Sequence, residues 1–142
     1  MSEKILLVDD EEDFLEVMSE RLTSRGMIVA TSNSAEEAFQ RVDKELFDAV
    51  ILDLKMPGAD GLEILKRIKE RRPELQVILL TGHATVEAGV EAIKLGAMDF
   101  IEKPADLEAL GEKIRKAKQN KMLIVEKMNE EKILEMLRRF GV

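Results

Sequence analysis

Five side chains in this 142-residue sequence have complementary chemistry, and each stands at or just past the end of a short apolar run. Asp9 and Asp10 open an acidic stretch that continues through Glu11 and Glu12, Asp53 closes the run Ala49-Val50-Ile51-Leu52, Thr81 closes Val77-Ile78-Leu79-Leu80, and Lys103 follows Phe100-Ile101. Brought together, three carboxylates, a hydroxyl and an ammonium suit phosphoryl transfer to a carboxylate. A carboxylate nucleophile approaching a phosphoryl donor meets strong repulsion, so charge must be offset from several sides. Paired acids can hold a Mg²⁺, which takes hard oxygen ligands and usually keeps some waters. A lysine can neutralise another oxygen, and a threonine hydroxyl can hydrogen-bond a third. Taken singly, each residue also has a plainer reading: acid clusters cap helices, a threonine at a strand end is structural, and Lys-Pro makes a turn. Their joint placement is what needs explaining.

That placement depends on the elements that carry them. Residues 5–8 and 49–52 are continuous apolar runs bounded by polar or turn residues, the mark of short strands buried on both faces. Residues 27–30, 76–81 and 99–101 read as three further strands. Between them lie helical patterns. Phe14, Leu15, Val17, Met18 and Leu22 recur at helical spacing until Gly26. Ser34-Ala35-Glu36-Glu37 has the capping-box pattern, Asp60 can cap a helix that Pro73 ends, and Thr85 a helix with Val86, Val90, Ile93 and Leu95. Asp106 opens the last, with Leu107, Leu110 and Ile114 inward. Five strands alternating with five helices predict an α/β fold, a doubly wound parallel sheet covered on both faces. The common five-stranded order, 2-1-3-4-5 as in flavodoxin-like folds, sets Asp9 and Asp10 beside Asp53 at the switch point, with Thr81 and Lys103 on the same edge.

Composition narrows the alternatives. An apolar share of 45% argues against disorder, and with no cysteine there is no disulfide scaffold, thiolate metal site or cysteine nucleophile. His83 is the sole histidine, which excludes multi-histidine metal sites and histidine triads. The formal net charge of −7 disfavours sequence-independent binding to nucleic acid. Residues 1–119 carry 17 basic and 25 acidic residues, while residues 120–142 carry five and four, so the acidity belongs to the main body. No stretch has a signal-peptide pattern, and none approaches the roughly 18 apolar residues of a membrane span. The expectation is a soluble, cytoplasmic protein.

The motifs together identify a resemblance. Leu7-Val8-Asp9-Asp10-Glu11, Leu52-Asp53-Leu54-Lys55-Met56-Pro57-Gly58, Asp60-Gly61, Leu80-Thr81-Gly82, and Gly96-Ala97 through Lys103-Pro104 resemble the receiver domain of bacterial two-component response regulators, over roughly residues 3–119. The resemblance implies that Asp53 is the phosphoacceptor, charged from the phosphohistidine of a sensor histidine kinase or phosphotransfer protein. It implies Mg²⁺ as cofactor, with Asp10 as a direct ligand, Asp9 its partner through water, and Asp53 and the backbone carbonyl of Lys55 completing the protein ligands. Thr81 resembles the switch hydroxyl and Lys103 the partner of a phosphoryl oxygen, with a cis bond to Pro104. Phe100 falls at the switch-aromatic position, where many receivers have tyrosine; it can change rotamer but cannot donate a hydroxyl hydrogen bond. His83 and Lys55, two residues past Thr81 and Asp53, fall where such receivers tune phosphoryl lifetime, although an exposed loop histidine is the plainer reading. The switch would alter contacts with a downstream effector protein through the face of helix 4, strand 5 and helix 5. Such a protein is not an enzyme on separate substrates; it promotes only its own phosphoryl transfer and autodephosphorylation.

Two other functions compete. Phosphatases of the haloacid dehalogenase type also use an aspartyl-phosphate, but place it in an Asp-x-Asp pattern after strand 1, whereas here Asp9-Asp10 are adjacent and Asp53 stands alone. A pseudo-receiver would use the fold for binding only. The division expected is a receiver over residues 1–119 and a helical extension over 120–142. In that extension Met122, Val125, Met128, Ile133, Met136, Leu137 and Phe140 restore apolar periodicity. A strict seven-residue repeat from Leu107 meets Lys121 and Glu131, which argues against a long regular coiled coil. The extension either folds back on the domain or pairs with a partner or another copy, so a homodimer is a candidate. No basic recognition helix for nucleic acid is present.

Overall fold

A strand that is apolar at every position must be covered on both sides, and this decides the architecture. The computed structural model describes residues 2–82 and 84–141. The main sheet is formed by β1 (Lys4–Val8), β2 (Ile28–Ser32), β3 (Ala49–Leu52), β6 (Gln76–Thr81) and β7 (Asp99–Glu102), in the order β2-β1-β3-β6-β7. All its pairings are parallel. The other two strands, β4 (Lys55–Met56) and β5 (Ala59–Asp60), form a small antiparallel hairpin around Pro57 and Gly58. That hairpin stands where the sequence suggests only a loop.

Side chains alternate across the sheet and divide the core in two. On one face Leu6, Val8, Val50, Leu52, Val77 and Leu79 pack under α2 (Ala35–Lys44), α3 (Gly61–Arg71) and the small residues of α4 (Val86–Lys94). On the other face Ile5, Leu7, Ala49, Ile51, Ile78 and Leu80 pack under α1 (Glu12–Ser24) and α5 (Leu107–Arg139). Burying each such aliphatic side chain contributes roughly 1.5–3 kcal/mol before the entropy of ordering is subtracted. The expected caps form: Ser34, Asp60, Thr85 and Asp106 each accept a hydrogen bond from a backbone N–H of the first turn that follows. Gly26 ends α1 at φ +87°, a conformation that side chains with a Cβ rarely adopt.

Helical spacing does not by itself mark the buried face of two helices. Val17 in α1 is exposed, because Leu15, Met18 and Leu22 supply the buried stripe. In α4 the apolar residues Val86, Val90 and Ile93 face solvent, and Ala92 is its one fully buried residue. The helix rests on the sheet through small residues, which turns its larger apolar side chains outward.

The last helix runs without interruption through residues 119 and 120 to Arg139, 33 residues in all and about 50 Å long. Leu110, Ile114 and Ala117 anchor it in the core. Lys121 is the last firm attachment, donating to the carbonyl of Phe47 at 2.8 Å and lying 3.8 Å from Asp48 Oδ1. From Glu126 to Gly141 every residue is exposed, so the extension projects from the domain rather than folding back over it.

Candidate functional site

The sheet's carboxyl edge fixes the site through its backbone. The amide of Asp9 donates to the carbonyl of Ser32 at 3.1 Å, that of Asp53 to Val8 at 3.0 Å, and that of Lys103 to Thr81 at 2.9 Å. Each bond continues the ladder one residue past a strand, so these residues are held by the sheet itself although they lie beyond it. The Lys103–Pro104 peptide is cis, as the resemblance implied.

The side chains then converge. Carboxylate oxygens of Asp9, Asp10 and Asp53 all lie within 4.8 Å of one another. Asp9 and Asp53 are 2% and 5% exposed, and Asp10 is the most open of the three. The Lys103 ammonium is 2.7 Å from Asp9 Oδ2, 3.6 Å from Glu11 Oε1 and 3.7 Å from Asp53 Oδ2. Burial would lower the pKa of Lys103, but its hydrogen bond to Asp9 and the charges of Asp9, Asp53 and Glu11 outweigh this and raise it. One ammonium against three clustered carboxylates leaves the pocket with surplus negative charge. With no histidine or cysteine in the cluster, the donor set is all oxygen, which fits a hard divalent cation such as Mg²⁺.

Around this cluster, Asp9 Oδ1 accepts from the amide of Glu11 at 2.9 Å, and Asp53 Oδ1 accepts from that of Lys55 at 3.4 Å. The loop that carries Lys55 is pinned where the amide of Gly61 donates to the Leu54 carbonyl at 2.8 Å. A Cβ on Gly61 would come within 2.4 Å of that carbonyl oxygen, so only glycine fits there. Thr81 is fully buried at the end of β6. Phe100 is half-buried in β7 and packs beside α4, its ring 3.4 Å from where a Cβ on Gly89 would stand. An open apolar groove lined by Val86, Gly89, Val90, Ile93 and Phe100 runs between α4 and β7. His83 lies outside the described residues.

The structure therefore brings Asp9, Asp10, Asp53 and Lys103 into one pocket and sets Thr81 at the same edge of the sheet, while Phe100 lies further out, against α4. Sequence reasoning missed Phe14, whose ring lies 3.9 Å below the Lys103 ammonium. It also gave Glu11 no role of its own within the acidic motif. Phe14 carried no distinguishing signal, since a phenylalanine at helical spacing reads as core.

A doubly wound parallel sheet with an acid cluster, a buried threonine and a lysine at its carboxyl edge defines the receiver class of α/β domain. Residues 5–115 match the family described as "Response regulator receiver domain", and the chain belongs to that family. The chain is 36% identical over 123 residues to the C4-dicarboxylate transport transcriptional regulatory protein DctD of Pseudomonas aeruginosa, a match covering 87% of this chain and 27% of that protein. It spans about a quarter of the length of the curated relatives it matches. Among solved structures it is similar to a CheY-like response regulator receiver domain protein from Methanospirillum hungatei, with a TM-score of 0.81, 30% identity and coverage of 86% of this chain and 98% of that one. It is also similar to the beryllofluoride-activated NtrC4 receiver domain dimer, with a TM-score of 0.78, 36% identity and coverage of 83% and 98%.

Proposed function

We propose that this chain is a phosphoryl-operated signalling switch in which Asp53 accepts a phosphoryl group from a phosphohistidine on a histidine kinase or phosphotransfer protein. The observation that carries this reading is the position of Asp53, nearly buried at the carboxyl edge of a central strand with Lys103 at 3.7 Å. A carboxylate oxygen of Asp53 attacks phosphorus, the P–N bond to the donor imidazole breaks, and the imidazole leaves with the electron pair and takes up a proton. Lys103 stands ready to pair with a phosphoryl oxygen. Asp10 and Asp53, with the backbone carbonyl of Lys55, would hold Mg²⁺, with Asp9 its partner through water; the ion would supply positive charge where the phosphoryl oxygens crowd the acids.

The added charge is read by Thr81, whose hydroxyl hydrogen-bonds the new group, and by Phe100, whose half-buried ring moves inward as the loop before α4 shifts. The exposed apolar side chains of α4 and the groove beside Phe100 then present a different surface to an effector protein. No helix among the described residues is long and apolar enough to cross a membrane.

Intact-mass spectrometry after incubation with Mg²⁺ and phosphoramidate tests this reading. The expected result is one phosphoryl adduct on the wild type and none on Asp53→Asn. A folded wild type that takes no adduct would favour a pseudo-receiver that only binds.

A further inference from the structure

The Lys103 ammonium is drawn in two directions. It is 3.7 Å from Asp53 Oδ2, inside the pocket, and 3.6 Å from Glu11 Oε1, on a side chain 65% open to solvent. A lysine head is strongly hydrated and rides on a flexible four-carbon stem, so nothing in its own chemistry keeps it inside. Yet the Lys103 side chain is only 16% exposed. Besides the carboxylates, the group that meets the ammonium is the ring of Phe14, 3.9 Å away. The first turn of α1 sets that ring in place. Phe14 follows Glu11 by three residues, and the amide of Leu15 donates to the carbonyl of Glu11 at 3.1 Å, so ring and competing carboxylate share one turn. The ring is partly buried against the core that Leu15, Met18 and Leu22 enter, which fixes it while the lysine stem can swing.

We propose that Phe14 is a positioning residue for phosphoryl acceptance at Asp53: its aromatic face holds the Lys103 ammonium in the pocket, against the pull of Glu11 and of water. The inference rests on the reading of Asp53 as phosphoacceptor. A ring presents the negative face of its quadrupole to a cation, whereas an aliphatic side chain fills similar space without that attraction. Exchanging one for the other therefore separates positioning from packing. A second consequence concerns the metal. A divalent cation attracted by Asp9, Asp10 and Asp53 meets the ammonium as a like charge, so a ring that keeps Lys103 in place also holds cation affinity down. Loss of the ring should slow phosphoryl acceptance and tighten Mg²⁺ binding at once. A general loosening of the pocket would weaken both.

The test compares the wild type with Phe14→Leu and Phe14→Tyr. Titration calorimetry without a phosphoryl donor should give Phe14→Leu a Mg²⁺ affinity about fivefold higher than the wild type, the size of effect a contact of this kind carries. In proton NMR the Lys103 ε-methylene should be shifted upfield by the ring in the wild type and should return to its ordinary position in Phe14→Leu. With phosphoramidate and saturating Mg²⁺, the initial rate of adduct formation should be about fivefold lower in Phe14→Leu. Phe14→Tyr, which keeps the aromatic face, should restore the wild-type behaviour in all three measurements. A Mg²⁺ affinity that falls or stays level in Phe14→Leu, an unmoved Lys103 resonance, or a Phe14→Tyr that behaves as Phe14→Leu does would each overturn the inference. An adduct on the wild type with equal rates in all three proteins would overturn this inference alone; a folded wild type that takes no adduct would overturn the reading of Asp53 and this inference with it.

Discussion

The Lys103 ammonium lies 2.7 Å from Asp9 Oδ2, and at 3.9 Å it stands over the ring of Phe14. Lys103 is thus an internal cation resting on the acid cluster, held from one side by charge and from the other by an aromatic face. Replacing it leaves Asp9, which is 2% exposed, without its one ammonium partner among the described residues. Because Lys103 is itself partly open to water, Lys103→Met should cost about 2–3 kcal/mol rather than the full penalty of a broken buried pair. Urea denaturation in the presence of a chelator measures this, and Mg²⁺ should recover part of the loss by supplying charge to the same carboxylates.

Gly61 supports the site from outside it. Its missing side chain lets the Leu54 carbonyl approach its amide to 2.8 Å, and this closes the loop that carries Lys55. Gly61→Ala places a methyl 2.4 Å from that oxygen, so the loop must shift. A stability loss of about 3 kcal/mol is expected, at the upper end of overpacking effects. Phosphoryl acceptance at Asp53 should fall with it, and parallel denaturation and adduct measurements would show whether the two move together.

If Thr81 is the switch hydroxyl, as proposed, its removal should separate receiving the phosphoryl group from responding to it. Thr81→Ala should still form the adduct at Asp53 but should lose most of the shift in the amide resonances of α4 and β7 on phosphorylation. Thr81→Ser, which keeps the hydroxyl, should restore them. Equal shifts in all three proteins would remove Thr81 from the switch.

Glu45 gives a pH dependence remote from the pocket. Its hydrogen bond and ion pair with Lys4, at 3.2 Å, hold its carboxyl below the ordinary range, with Arg41 contributing at 3.0 Å. Burial opposes the shift and is outweighed. A depressed carboxylate stabilises the fold fully above its unfolded pKa and loses that contribution as pH falls through the folded one. The wild type should therefore lose stability relative to Glu45→Gln below about pH 4.5. Thermal unfolding from pH 6 to pH 3 checks this; parallel curves would contradict it.

The parallel strands were legible because Ile5, Leu6, Leu7 and Val8, like residues 49–52, are apolar at every position and admit few other structures. Once their order was inferred, Asp9, Asp10, Asp53, Thr81 and Lys103 had to share an edge. Periodicity said less about α4, since Val86, Val90 and Ile93 form as good a stripe as a buried one would, and only tertiary packing shows that Ala92 makes the contact. The β4–β5 hairpin went unseen because two-residue strands leave no pattern, and Pro57-Gly58 reads equally well as an open loop. The contact between Phe14 and Lys103 joins residues far apart in the chain, so spacing could not show it.

The most direct test of the central claim is to locate the phosphoryl group. After reaction with a phosphorylated histidine donor and Mg²⁺, borohydride reduction converts an aspartyl phosphate to homoserine, which peptide mass spectrometry assigns to a position. Homoserine at residue 53, absent from Asp53→Asn, is the predicted result. Modification at Asp9 or Asp10 with Asp53 unchanged, or no modification of the folded chain, would contradict it.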